Sequence, residues 1–133
     1  MALRKERNLW HSVTIMASPR EVFEALVDPK ENAKFTGAFA RLEKSVGGRF
    51  SHYNGSLSGV VVSLEPNRRL VLAWRSSDWP EGHHSLADFR LRKVKAGTRL
   101  DFAQFGIPAS DFSDIRDGWR QCDWEPLKQY LER

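Results

Sequence analysis

Alternation between hydrophobic and polar residues predicts a chain made largely of short strands. Residues 9–16 alternate in this way and are rich in β-branched and aromatic residues, which favours a first strand. Further along, glycine-containing turn signals such as Gly47-Gly48 and Asn54-Gly55 interrupt the chain. The segments between these turns also alternate, and they predict an antiparallel meander of strands at 49–53, 57–64, 70–75, 85–94 and 98–105.

Two short helices are predicted between the first strand and the meander. Ser18, Pro19 and Glu21 have the spacing of a capping box, in which polar side chains satisfy the free backbone N–H groups at a helix start. Pro29 ends this helix, because the residue before a proline resists helical geometry. A second short helix is expected from Pro29 to about residue 35.

A long helix is predicted near the C-terminus, from about residue 111 to 131. Its apolar residues, including Ile115 and Trp119, recur at helical spacing. Pro126 lies inside this pattern and has no backbone N–H, so we expect a kink or break near Trp124.

The order of these elements predicts an α+β fold. A single sheet of short strands has one face to bury, and the C-terminal helix is the only element long enough to cover it. We therefore expect a curved antiparallel sheet of about six or seven strands wrapped around the long helix, with two short helices after strand one. Residues 1–8 are interpreted as a basic N-terminal extension, and residues 9–133 as a single domain.

Composition narrows the range of partners and compartments. The formal net charge is +4, but basic and acidic residues are interleaved, so we do not expect nucleic acid as a partner. No apolar run has the length of a signal peptide core or a membrane span, so we expect no membrane partner. The single cysteine, Cys122, has no partner for a disulfide within the chain, which favours a reducing, cytoplasmic location.

Several motifs, spread in order over nearly the whole chain, resemble one domain family. It is the family named for activators of the ninety-kilodalton heat-shock protein ATPase. The motifs are Ala17 to Phe23, Gly47 to Phe50, Leu57-Ser58-Gly59, Leu64-Glu65-Pro66, Leu70 to Arg75, Trp79 to His83, Gly106 to Ala109 and Gly118-Trp119.

The resemblance implies a START-like helix-grip fold with a cavity between the sheet and the long helix. Together with the lack of evident catalytic groups, the resemblance favours a non-enzymatic role in a stress response that is exerted by protein contact, with a heat-shock protein 90 type chaperone as the partner. In the eukaryotic co-chaperones of this family, the domain is the C-terminal half of a longer protein. The wider superfamily includes lipid carriers, hormone receptors and cyclases. No cofactor is expected.

An alternative function is the binding of a small hydrophobic or aromatic ligand in that cavity. The alternation of the strands and the helical stripe point ten side chains inward: Phe50, His52, Leu72, Trp74, Phe89, Phe102, Gln104, Ile115, Trp119 and Cys122. In one interpretation these line a cavity in which His52 and Gln104 orient the ligand. In the other they simply fill the core. The phase of strand 57–64 stays open, because it is apolar on both faces from Val60 to Val62.

Catalytic chemistry has little support in the sequence. A Cys122–His52 pair is conceivable, but a lone cysteine more often behaves as a small buried hydrophobe. Asp88 and Asp101 are expected on the outer face of the sheet, in ion pairs with arginines. We therefore expect no enzyme, with a cyclase- or hydrolase-like activity using His52, Gln104 or Cys122 as a weaker hypothesis.

The loop at residues 76–85 concentrates acids and imidazoles and raises the question of a metal site. His83 and His84 are adjacent and would point to opposite sides of a strand, so no metal site is expected. The loop and the basic outer face of the sheet supply the candidate residues for partner contact: Trp79, Glu81, His83, Arg75, Arg90 and Arg92. The same basic face is also consistent with an ordinary solvated surface.

Overall fold

The computed structural model describes residues 5–133, which form an open antiparallel sheet of seven strands and several helical segments. The strands are β1 (Glu6–Ile15), β2 (Arg41–Leu42), β3 (Arg49–His52), β4 (Leu57–Glu65), β5 (Arg69–Ser76), β6 (Ser85–Val94) and β7 (Gly97–Pro108). The helices are α1 (Pro19–Val27), α2 (Pro29–Thr36), α3 (Phe112–Gly118) and α4 (Glu125–Leu131). A π-helical segment, Trp119–Trp124, joins α3 to α4.

The strand order is β1-β7-β6-β5-β4-β3-β2, and every neighbouring pair is antiparallel. The predicted meander and helix-grip architecture are therefore confirmed. Strand β2 was not predicted, because two residues are too few to show alternation. Strand β1 begins at Glu6, so residues 6–8 of the expected N-terminal extension belong to the sheet, and Glu6 and Arg7 pair with β7. Residues 1–4 of that extension lie outside the described residues.

The two short helices begin at side-chain caps. The Ser18 hydroxyl accepts a hydrogen bond from the Glu21 N–H at 3.2 Å, and the Glu21 carboxylate accepts one from the Ser18 N–H at 3.2 Å. This is the predicted capping box. Asp28 caps α2 in a similar way through the N–H of Lys30, so one residue ends α1 and starts α2.

The C-terminal helical region has the irregularity expected near Trp124. In the π-helical segment, the N–H of Glu125 donates to the carbonyl of Arg120, five residues earlier. Pro126 has no N–H to donate to the carbonyl of Cys122, four residues before it. The hydroxyl of Tyr53 donates to that carbonyl instead, at 3.0 Å. The hydrogen bond from Tyr53 therefore stabilises the π-helical segment from the sheet side of the molecule.

Aromatic rings fill the space between the sheet and the helix. Trp119 and Trp124 stack with centroids 5.2 Å apart, and Trp119 lies 4.6 Å from Phe102. Phe89 packs against Phe102 at 5.0 Å. All four are buried. The centre of the fold is therefore a packed core, as the core-filling interpretation expected.

The phase of β4 is settled by its valines. Val61 is buried, whereas Val60 and Val62 are exposed on the other face of the sheet. A register shift between Val61 and Ser63 in the pairing with β5 accompanies this alternation. Within residues 5–133, no helix is long and apolar enough to cross a membrane.

Candidate functional site

A cavity of about 290 Å³ opens between one end of the sheet and the C-terminal helical region. The turn between β3 and β4 forms one wall, and α3 with the π-helical segment forms the other. Eleven residues line it: His52, Tyr53, Ser56, Leu57, Trp74, Asp114, Ile115, Gly118, Trp119, Cys122 and Asp123. The volume lies at the lower end of the range of small-molecule sites.

Half of the ten side chains predicted to line a cavity are in this wall: His52, Trp74, Ile115, Trp119 and Cys122. Leu72 and Phe89 border a deeper void of about 20 Å³, which has room for roughly one water molecule. Phe50, Phe102 and Gln104 line neither space. The open cavity therefore lies at the end of the core, where the π-helical segment faces the β3–β4 turn.

Gln104 was expected to orient a ligand, and the structure corrects this interpretation. Its amide donates to the hydroxyl of Ser85 at 2.9 Å and accepts from the indole N–H of Trp119 at 2.7 Å. The Ser85 hydroxyl in turn donates to the carbonyl of Trp74. The side chain is fully buried and its polar atoms are engaged. Gln104 therefore holds the Trp119 ring in place and has no role at the cavity surface.

Cys122 was expected to face the sheet, but it is exposed at the cavity wall. The π-helical segment explains the difference, because its wider turn shifts which residues point inward. Trp119 and Trp124, five residues apart, both reach the core. In the described part of the chain, no hydrogen bond joins Cys122 to His52. The conceivable nucleophile and base therefore do not form a pair in this structure.

Asp123 is the site residue that sequence reasoning missed. It lies in the cavity wall, and burial raises its pKa to about 7, although the hydroxyl of neighbouring Tyr53 acts in the opposite direction. Within residues 5–133, its carboxylate forms no salt bridge. The sequence feature that could have indicated it is Pro126, because an irregular helix near Trp124 changes which residues face the sheet.

Two further polar residues of the wall are uncharged at neutral pH. Burial lowers the pKa of His52 to about 4, so its imidazole is neutral. Burial also raises the pKa of Tyr53 well above its ordinary value, with the negative charge of Asp123 adding to the shift. The cavity therefore combines an apolar surface, the neutral side chains of His52 and Tyr53, and two acids, Asp114 and Asp123, of which Asp123 ionises near neutral pH.

The turn at Tyr53 and Asn54 is held in an unusual backbone conformation. Both residues have positive φ angles, 53° and 58°, which is uncommon for residues other than glycine. Asn54 is tied to Phe39 by two hydrogen bonds of 3.3 Å, one from its N–H and one to its side-chain oxygen. This bracing fixes the position of Tyr53 in the cavity wall.

Among the candidates for partner contact, the residues in and next to the loop at 76–85 are less exposed to a partner than expected. Trp79 is buried against the Trp74 ring at 5.4 Å, so it is part of the core and not of the exposed surface. Arg75 donates to the carbonyl of Trp79 at 2.7 Å. His83 lies 2.9 Å from the carbonyl of Gly106 and is partly buried, whereas Glu81 is exposed. These contacts fix the loop against the end of the sheet.

The outer face of the sheet carries the expected ion pairs. Asp88 is held by Arg69 at 3.0 Å and by Arg90 at 3.3 Å, and Arg99 pairs with Asp101 at 2.9 Å. Both acids are therefore engaged in ion pairs on this face.

Arg92 differs from its neighbours on the same face. It is exposed and forms no ion pair within the described range. Across the strands it lies directly opposite Arg99. Arg99 is already paired with Asp101, so Arg92 adds a positive charge at this corner of the sheet without an ion pair at contact distance.

An apolar band crosses the same outer face, and the sequence did not reveal it. We use the term apolar band for Trp10, Val60, Ala73, Leu86 and Phe105. The register places Phe105, Leu86, Ala73 and Val60 side by side on four consecutive strands. Trp10 packs on Phe105 with ring centroids 6.0 Å apart, and its side chain is 65% exposed. Trp10, Val60, Leu86 and Phe105 are exposed and Ala73 is half-buried between them, and a contiguous apolar patch is typical of an interaction surface.

His83 and His84 do not converge on a common point. His83 contacts the carbonyl of Gly106, and His84 contacts that of Gly82. Residues 5–133 contain no group of three or more His, Cys, Asp or Glu side chains arranged to hold a metal ion.

The family model described as Activator of Hsp90 ATPase homolog 1-like protein matches residues 16–132. The chain belongs to this family. The match extends from the last residues before α1 to the end of the C-terminal helical region, so it includes both walls of the cavity and most of the sheet.

Two curated relatives show the extent of the similarity. The human activator of 90 kDa heat shock protein ATPase homolog 1 is 33% identical over 116 residues, which are 87% of this chain and 34% of the relative. An activator of 90 kDa heat shock protein ATPase homolog from Dictyostelium discoideum is 30% identical over 112 residues, with 84% of this chain and 29% of the relative covered. The chain thus spans about a third of the length of these relatives.

Solved structures share the fold. The crystal structure of an HSP90 activator from Plasmodium falciparum matches with a TM-score of 0.89 at 23% identity, over 93% of this chain and 95% of that one. The crystal structure of a protein from Mesorhizobium loti matches with a TM-score of 0.83 at 25% identity, over 96% of this chain and 98% of that one.

Proposed function

We propose that the protein is a co-chaperone that binds a heat-shock protein 90 type chaperone and raises its ATPase rate by contact alone. The observation that carries this proposal is the family match over residues 16–132. The curated relatives described above are named as activators of that ATPase. A cytoplasmic location and a part in the stress response go with this proposal.

The outer face of the sheet is the surface that suits such a contact. The apolar band offers exposed side chains for burial, with Leu86 46% exposed and Phe105 40% exposed. Arg90 and Arg92 lie on the same strand as Leu86, further along the same face. Because Arg92 has no ion-pair partner in the described structure, an acidic surface on the chaperone would complement this region.

The test is a chaperone ATPase assay combined with calorimetry at low and moderate salt. The wild-type protein is expected to bind and to raise the ATPase rate, with weaker binding at higher salt. Leu86→Lys and Phe105→Lys are each expected to weaken binding at least tenfold, as for residues at the centre of an interface. Val46→Lys is the matched control, since Val46 is 68% exposed outside the band. Absence of binding together with an unchanged ATPase rate would contradict the proposal.

We also propose that the protein has no catalytic step of its own. The absence of a hydrogen bond between Cys122 and His52 within residues 5–133 supports this view, as does the neutral state of the partly buried His52. The weaker cyclase- or hydrolase-like hypothesis predicts instead that His52→Gln or Cys122→Ser would abolish a turnover reaction while leaving chaperone binding intact.

A second candidate function is the binding of a small apolar ligand, which the 290 Å³ cavity favours. A ligand that binds only the folded state stabilises it by RT ln(1 + [L]/Kd), so the unfolding temperature rises roughly with the logarithm of the ligand concentration above Kd. We expect at least one compound in a panel of lipids and aromatic metabolites to give such a shift. A panel without any shift would argue against this candidate.

A further inference from the structure

The cavity wall contains two acids, Asp114 and Asp123, but no side chain that carries a positive charge at neutral pH. Its lining residues include no lysine or arginine, and the Asp123 carboxylate has no salt-bridge partner within residues 5–133. Most of the surrounding surface is apolar, with Leu57, Ile115 and the rings of Trp74 and Trp119 in the wall. An ionised carboxylate in such surroundings is costly unless a positive charge accompanies it.

The other titratable groups around Asp123 do not supply that positive charge. On the sheet side, His52 is neutral above about pH 5 because burial lowers its pKa to about 4. The Tyr53 hydroxyl donates to the carbonyl of Cys122 and remains protonated. On the helix side, Asp114 is a second acid, exposed at the rim, and Cys122 carries no positive charge. Within the cavity wall, every titratable side chain is therefore either neutral or negatively charged.

The aromatic part of the wall is fixed in position. The indole N–H of Trp119 donates to Gln104 at 2.7 Å, and the Trp74 and Trp119 rings lie 5.7 Å apart at an angle of 32°. Tryptophan faces attract cations as well as apolar groups. The wall is therefore suited to a ligand with an apolar body and a positive end.

We infer that the cavity binds a small amphipathic amine, with Asp123 as the counter-ion of the ammonium group and the Trp74 and Trp119 rings against its apolar part. This inference rests on the second candidate function, ligand binding in the cavity, and specifies the class of ligand. Asp114 at the rim adds negative potential along the entrance, which favours the approach of a cation.

The experiment compares two probes of similar shape, 2-phenylethylamine and 2-phenylethanol, by isothermal calorimetry. At pH 8 the wild-type protein is expected to bind the amine at least tenfold more tightly than the alcohol. Asp123→Asn is expected to abolish this preference while leaving binding of the alcohol unchanged. Asp114→Asn is the matched control, and it is expected to retain most of the preference because Asp114 lies at the exposed rim.

A second measurement uses the wild-type protein alone. Below pH 7 the Asp123 carboxylate takes up a proton, so affinity for the ammonium ion should fall by up to tenfold per pH unit, while affinity for the alcohol stays constant. His52 and Tyr53 do not change charge between pH 6 and pH 8, so they do not obscure the effect.

The outcomes distinguish the inference about the amine from the broader proposal that the cavity binds a ligand. If amine and alcohol bind equally at pH 8, or if Asp123→Asn keeps the preference, the inference is wrong and ligand binding as such stands. If neither probe binds at any pH, the inference is wrong, and the panel of lipids and aromatic metabolites decides separately whether the second candidate function is wrong as well. An amine affinity that is independent of pH between 6 and 8 would also overturn the role of Asp123.

Discussion

Asp123 and His52 line the same cavity, and burial moves their pKa values in opposite directions. The pKa of Asp123 rises from 3.8 to about 7, so the folded state holds its proton more tightly than the unfolded chain does. Its contribution to stability therefore falls as the pH rises from about 4 to about 7. The pKa of His52 falls from 6.5 to about 4, so its contribution rises with pH over nearly the same range. In the wild-type protein the two effects largely cancel.

Removing either group should expose the effect of the other. Relative to the wild-type protein, Asp123→Asn is expected to lose stability as the pH falls from 6.5 to 4, by roughly 3 kcal/mol at most. His52→Gln is expected to do the opposite and to become more stable on acidification. The measurement is the free energy of unfolding in urea at pH 4.5 and 7.5. Other ionisable groups cancel in the difference from wild type, so pH profiles parallel to the wild type would contradict the assignment.

The π-helical segment determines which side chains of the C-terminal helical region line the cavity, and the sequence predicted this segment only in part. Pro126 predicted an irregular helix near Trp124, but the proline alone did not specify a kink, a break or a wider turn. A regular helix would have placed Cys122 inward, which is why Cys122 was predicted and Asp123 was not. The missing information was the contact from Tyr53, which lies 69 residues away along the chain.

The hydrogen bond from Tyr53 to the carbonyl of Cys122 is expected to stabilise the π-helical segment. Tyr53→Phe should therefore cost about 1 kcal/mol or slightly more. Pro126→Ala restores an N–H that can donate to the same carbonyl, so Tyr53→Phe should cost less in that background. A double-mutant cycle in urea measures this coupling. Equal costs in both backgrounds would show that the Tyr53 hydroxyl does not replace the missing proline donor.

Replacement of glycine by alanine should have opposite effects on stability at one position in a strand and one in a helix. A methyl group on Gly59 in β4 would overlap the carbonyl of Ala73 and lie 2.8 Å from the Phe50 ring. Gly59→Ala is therefore expected to destabilise the protein by about 1–3 kcal/mol or more. Gly118, at the end of α3, has open space around the same position. Gly118→Ala should stabilise by about 0.5–1 kcal/mol, and thermal unfolding of the two variants checks the contrast.

At the scale of the whole molecule, the alternation of the strands predicted the inner face of the sheet and the ion pairs of the outer face, but not the apolar band. The inner face follows from the need to bury aromatic rings against the C-terminal helix, and Phe50, Phe89 and Phe102 are buried as expected. The apolar band depends on the register of four strands, which brings together single residues that look ordinary within each strand. Phe105 and Leu86 are 19 residues apart in the chain, and only the pairing makes them neighbours.

The two faces of one sheet should therefore support separable activities. Phe105→Lys changes the outer face and is expected to weaken chaperone binding at least tenfold, while binding of 2-phenylethylamine stays within twofold of wild type. Asp123→Asn changes the cavity and should produce the reverse pattern, with amine binding reduced and chaperone stimulation retained. Both variants are to be measured in both assays, together with their unfolding temperatures. A variant that impairs both activities without loss of stability would contradict this separation. It would show that the cavity and the apolar band are coupled, for example through a structural element whose two conformations affect both sites.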